Sequence, residues 1–164
     1  ILFSASMIEM MGVDGEVVAI DIDIREHNKK LIEAHPMYKR ITMYEGSSVD
    51  TNIINKVKEH AKNKKCVMLI LDSNHTHDHV LEELRVYAPL VTIGSYCILP
   101  DTFIEFFPPG YSSNHNKRPW DVGNNPYTAM KAFLEKNKNF SIDKYFSDKA
   151  MITETIDGYL KRDF

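Results

Sequence analysis

Cysteine is scarce in this sequence. Cys66 and Cys97 are the only two in 164 residues. Both border or sit in apolar runs, so no disulfide framework organises the chain, and both are expected to be reduced core thiols in a reducing, cytoplasmic compartment. Positive charge is not in surplus either. Twenty Lys and Arg against 23 Asp and Glu give a net charge of −3, and the pI is near 6.2. That balance excludes the basic footprint of a nucleic-acid binder. No apolar run approaches the ~20 residues needed to span a membrane. There is no initiator methionine, no signal-peptide pattern, no internal repeat and no low-complexity segment. What remains is ordinary for a soluble globular chain: 43% apolar and 26% charged residues. The length suits one domain, 1–164, with a core of useful size.

The most informative stretch is residues 67–80. Val67, Met68, Leu69, Ile70 and Leu71 show no polar alternation, which is how a strand buried on both faces of a parallel sheet reads. The run stops at Asp72. Asn74, His75, His77, Asp78 and His79 then follow within seven residues. Ligands of open α/β sheets bind outside the carboxyl ends of the strands, so this junction is a candidate site.

Around it, strands and helices alternate. Residues 1–11 read as a helix already in progress, closed by Gly12, so the chain is expected to be incomplete at its start. Residues 17–20 read as a strand ending at Asp21. A helix over 24–35 follows, with Asp23 as its cap and Pro36 as its stop. A strand over 40–45 ends in Gly46, Ser47 and Ser48. A helix covers 50–62, the buried strand ends at Asp72, and helix 79–87 leads to a strand over 95–99 just before Asp101. Residues 108–126, rich in Gly, Pro and Asn, form a loop long enough to be a lid or binding loop. A helix over 128–138 and strands over 140–146 and 150–155 close the chain. The order predicts an α/β fold: a doubly wound, mostly parallel sheet with an antiparallel closing strand.

Several of these junctions carry chemistry. An acidic residue such as Asp21 at a strand end can accept hydrogen bonds from ribose hydroxyls; the plainer reading is a surface carboxylate. Gly46 lets backbone approach a ligand, and the Ser47 and Ser48 hydroxyls could meet an adenine edge, although such loops are often only turns. Asp72 and Asp101, at neighbouring strand ends, could hold a hard cation such as Mg²⁺. Zinc is the weaker option, because no cysteine stands near the three histidines and no HExxH spacing occurs. A histidine beside such a metal suits a general base, while His79 reads as bonded within its own loop or helix. Trp120 could stack on a ring substrate or simply pack beneath the loop.

Taken together, this layout resembles a class I S-adenosylmethionine-dependent methyltransferase. The segments VVAIDIDIR, LDSNHTHDHV, YAPLV, GSYC, RPW, GNNP and DGYLKR resemble, more specifically, the cephalosporin hydroxylase and rhamnosyl O-methyltransferase family over nearly the whole chain. The resemblance implies S-adenosylmethionine as cofactor, bound by Asp21 at the ribose, by Gly46, Ser47 and Ser48 beside the adenine, and by Asp72. It implies Mg²⁺ on Asp72 and Asp101, with His75 as catalytic base where relatives carry a lysine. His77 and Trp120 are expected to meet the substrate. Two departures are visible: the family's first strand with its Gly-rich loop would precede Ile1, and Pro100 stands where some relatives have a further carboxylate.

The expected activity is therefore methyl transfer to a hydroxyl of a sugar or natural-product scaffold, as in lipopolysaccharide or antibiotic biosynthesis, by a homo-oligomer with no nucleic-acid or membrane partner. Two other expectations compete with it. One is a non-haem iron hydroxylase using His75, His77 and Asp72. The other is a binding domain without catalysis.

Overall fold

A computed structural model describes residues 1–164, with His115 described by its backbone only. The chain forms two compact units, Ile1–His60 and Ala61–Phe164. Among the described residues, no helix is long and apolar enough to cross a membrane.

The first unit is built on one parallel strand pair. Helix α1 (Leu2–Met10) ends where Gly12 takes a positive φ of 63°, a conformation open to glycine at no steric cost. Strand β1 (Val17–Asp21) pairs in parallel with β2 (Ile41–Glu45), Val17 opposite Ile41 and Asp21 opposite Glu45. Helix α2 (Glu26–Glu33) joins them, and helix α3 (Thr51–Ala61) follows. Asp50 caps α3, its carboxylate accepting from the N–H groups of Asn52 and Ile53. A cluster pins α1 to the turn before β2: Glu9 accepts from Lys39 Nζ (2.8 Å) and Arg40 Nε (2.6 Å), and Arg40 also donates to the Gly15 carbonyl. These two cations hold the Glu9 carboxyl below its ordinary range.

Helix α2 departs from the expectation of a helix over 24–35 capped by Asp23. Its N-cap is Arg25. Asp21 Oδ1 accepts the Asp23 N–H at 3.1 Å, so the chain folds back on the strand end and the helix begins later.

The second unit is a four-stranded mixed sheet in the order β3–β4–β6–β5. Strand β3 (Leu69–Ile70) runs parallel to β4 (Tyr96–Ile98), joined through helix α4 (His77–Tyr87). The closing strands are antiparallel, as expected: β6 (Tyr159–Arg162) pairs with both β4 and β5 (Phe140–Ile142). Helix α5 (Pro126–Lys136) packs against α4. Asn125 caps α5 by accepting from the Tyr127 and Thr128 N–H groups, and Thr128 Oγ1 accepts in return from the Asn125 N–H. Val80, Leu84, Tyr87, Cys97, Leu99, Ala129, Met130 and Leu160 fill the core between helices and sheet.

Four expectations fail in this unit. The strand 67–71 is not buried on both faces. Only residues 69 and 70 are regular, and Met68 and Ile70 are half exposed; within its unit β3 pairs with β4 alone. The predicted strand 140–146 stops at Ile142. The Asp143 carboxylate takes the Tyr145 N–H and the Tyr96 hydroxyl, turning the chain into helix α6 (Tyr145–Ala150). The predicted strand 150–155 is irregular, and the real last strand, β6, lies four residues further on. Finally, Cys97 is buried but Cys66 is exposed, because it sits ahead of the strand rather than in it.

Candidate functional site

The second unit gathers three ligand-type side chains at the carboxyl ends of β3 and β4. Asp72 leaves the end of β3 just after buried Leu71. Asp101 follows β4 and adopts a left-handed backbone (φ 57°, ψ 18°), uncommon for a residue with a side chain. His75 comes from the loop between Asp72 and α4. Its Nε2 lies 3.3 Å from Asp72 Oδ1 and 3.2 Å from Asp101 Oδ2. One potential ligand atom from each residue falls within 4.8 Å of the other two. His75 is largely buried, whereas Asp72 is exposed. The hydrogen bond from His75 and its charge hold the Asp72 carboxyl below its usual range, against a smaller opposing effect of burial.

The two carboxylates within such a span suit a hard divalent cation, with the imidazole beside it. Mg²⁺ takes one or two carboxylates and fills the rest of its octahedron with waters or substrate oxygens, and the separations leave room for that. An iron triad of two histidines and one carboxylate is not assembled. His77 is the first residue of α4: its N–H goes to Asn124 Oδ1 and its Nδ1 meets Thr128 Oγ1 at 2.8 Å. His79 lies 3.5 Å from Glu83. Of the three histidines, only His75 meets the carboxylates.

Beside this cluster opens a cleft of about 240 Å³, walled by Phe103, Phe107, Tyr111 and Trp120, with His75, Asp101, Asn116 and Arg118 among its polar groups. The Trp120 ring meets the His75 ring edge-on at 4.8 Å, and the Arg118 guanidinium lies over it at 5.3 Å. Trp120 therefore orients the imidazole and carries a cation on its face. The long loop is strapped down. The Asp121 carboxylate accepts from the Ser113 hydroxyl and from the N–H groups of Gly110, Ser113 and Val122. These bonds, the Ser113 hydroxyl first, hold its carboxyl far below the ordinary range. Glu105 accepts from the Gly123 N–H and from Asn125 Nδ2, and Asn124 Nδ2 donates to the Pro119 carbonyl.

The other predicted ligands belong to the first unit. The Asp21 side chain borders a cavity of about 160 Å³ lined by Ala19, Ile20, Ile24, Ile32 and Met43, among others. Its backbone carbonyl accepts the Gly46 N–H at 2.8 Å, tying the ends of β1 and β2. Gly46 has φ 144°, and a Cβ there would crowd Ile53 at 3.3 Å. Ser47 Oγ accepts weakly from the Val49 N–H. Gly46, Ser47 and Ser48 lie beside the strand end rather than in the cavity wall.

Sequence reasoning missed Phe103, Phe107, Tyr111 and Asp121. The aromatics were legible only as apolar residues, and Asp121 as one acidic group in a polar loop.

Comparison with known proteins agrees with the motif reading. A family model described as rhamnosyl O-methyltransferase/CmcI matches residues 1–163. Rhamnosyl O-methyltransferases of Mycobacterium tuberculosis and Mycobacterium bovis are 26% identical over 167 residues, an alignment covering 98% of this chain. The chain spans 61% of the length of those curated relatives. Among solved structures, the MycE methyltransferase of the mycinamycin biosynthetic pathway, in complex with Mg and SAH, matches 74% of this chain and 30% of its own, at 17% identity and a TM-score of 0.46.

Proposed function

The chain belongs to the rhamnosyl O-methyltransferase/CmcI family, and from that premise we propose that it takes part in Mg²⁺-assisted methyl transfer from S-adenosylmethionine to a hydroxyl of a sugar or natural-product acceptor. The observation that carries this reading is the meeting of Asp72, His75 and Asp101 beside an aromatic cleft.

The roles follow from the chemistry of each group. Asp72 and Asp101 would hold the cation. When bound, such an ion lowers the pKa of an acceptor hydroxyl and orients it. His75 would accept the hydroxyl proton, and the two carboxylates beside Nε2 offset the positive charge it gains. Phe103, Phe107 and Tyr111 would cover the apolar faces of the acceptor and keep water from the reacting oxygen. In the first unit, Asp21 would accept from the ribose hydroxyls, with Gly46, Ser47 and Ser48 beside the adenine. His77 contributes by holding the loop at Asn124 and Thr128, so its effect on the acceptor would be indirect.

Asp72→Asn tests the metal role. It keeps the shape of the side chain and removes its charge. Turnover should become independent of added Mg²⁺ and fall by several kcal/mol of transition-state stabilisation, ~10²-fold or more. Binding of S-adenosylhomocysteine, followed by calorimetry, should fall far less than turnover, because Asp72 is only one of the cofactor contacts expected. Unchanged, Mg²⁺-dependent turnover would reject the assignment.

A further inference from the structure

Among the described residues, Glu83 is the one buried acidic residue of the second unit that the proposed chemistry leaves unused. It lies on the core face of α4, between Val80, Leu84 and Tyr87, and is 1% exposed. Its Oε1 accepts the Ser73 hydroxyl at 2.7 Å, with His79 Nε2 at 3.5 Å from the same oxygen. Oε2 is buried and has no hydrogen-bond partner among the described residues. Its charge is felt nearby: with burial as the larger cause, it helps push the Tyr87 hydroxyl up to about 12 and raises the Cys97 thiol.

A carboxylate in such a core is an expensive way to fill space. Burying an ion costs several kcal/mol, and well-packed apolar replacements are often neutral or stabilising. Packing alone therefore does not explain Glu83. Its one good hydrogen bond does suggest a task. Ser73 directly follows Asp72, and the bond closes the turn between the end of β3 and the start of α4.

We propose that Glu83 is a positioning residue: through the Ser73 hydroxyl it fixes the backbone from which Asp72 projects, and so sets the affinity of the Asp72 and Asp101 carboxylates for a divalent cation. The inference rests on the metal reading given above. It is independent of cofactor and acceptor. Groups that orient metal ligands from behind typically change metal affinity by about 10- to 100-fold when removed.

The test is titration of the full chain with Mn²⁺ alone, read by electron paramagnetic resonance of the free ion, alongside thermal melting. Ser73→Ala and Glu83→Leu should each weaken Mn²⁺ binding by about ten-fold or more. The double variant should be no weaker than either single one, because both break the same bond. Glu83→Gln keeps an acceptor for Ser73 and should restore affinity close to wild type. A purely structural role would lower the melting temperature and leave Mn²⁺ affinity in place. Wild-type affinity in both Ser73→Ala and Glu83→Leu overturns the inference, as does a Glu83→Gln variant as weak as Glu83→Leu. If one variant fails to fold, the other still decides. A wild-type chain that takes up no Mn²⁺ overturns the metal reading, and this inference with it, a pattern distinct from tight binding in all variants.

Discussion

Asp121 is the residue that turns a long Gly-, Asn- and Pro-rich loop into a fixed wall. Its four hydrogen bonds hold the segment that carries Arg118 and Trp120. Because its folded pKa is depressed, the stabilisation is present above the unfolded carboxylate value and is lost as pH falls through the folded one. Trp120 is the only tryptophan, so its fluorescence reports on this wall. The emission should hold as pH falls to about 4, where a free Asp is half protonated, and shift only below that. Asp121→Asn should show the shifted emission already at neutral pH. The cysteines allow a second check at this scale. Burial, then the Glu83 charge, raises the Cys97 thiol well above its ordinary range, while Cys66 is exposed. A thiol reagent at neutral pH should therefore modify one cysteine per native chain, at Cys66. Two rapid equivalents would contradict the buried position of Cys97.

At the scale of elements, sequence patterns located structure wherever the local signals agreed. β1, β2 and α3 fall within a residue or two of the predicted spans, because apolar runs and the Asp50 cap agree. Helix α5 starts earlier than its apolar pattern suggested, at Pro126 after the Asn125 cap; that signal was present and lost to the loop reading of Gly123, Asn124 and Asn125. Strand β6 was hidden for a different reason. Its sequence, YLKR, is largely polar, and it is a strand because Leu160 fits the core between β4 and β5. Gly158 admits it. A Cβ there would collide with the Leu99 carbonyl oxygen and press on Thr155 Cγ2 at 2.8 Å. Gly158→Ala should therefore destabilise the chain by about 1–3 kcal/mol, as overpacked cores do. Chemical denaturation measures this, and a variant as stable as wild type would mean that β6 can move aside.

For the whole molecule, the division into two units makes a separable prediction. Asp21 belongs to Ile1–His60 and the Asp72–His75–Asp101 cluster to Ala61–Phe164. Asp21→Ala should weaken S-adenosylhomocysteine binding, by about 1–3 kcal/mol for lost hydrogen bonds to a charged group. It should leave Mn²⁺ titration unchanged; loss of both in this one variant would contradict separate roles. The site was legible in outline, because carboxylates at strand ends are a feature of connectivity, which alternating patterns reveal. Spacing alone left open which histidine meets them; the family resemblance put His75 there, and the start of α4 at His77 carries the other two onto the helix. Asp101 adds a last consequence. Its left-handed backbone would suit glycine better, so a lineage selected for thermal endurance alone, with no demand for chemistry, would be free to discard the carboxylate. On the proposed metal role, copies that keep the fold but no longer need the cation should accept glycine at this position, so that glycine there would mark lost cation binding in the sequence alone.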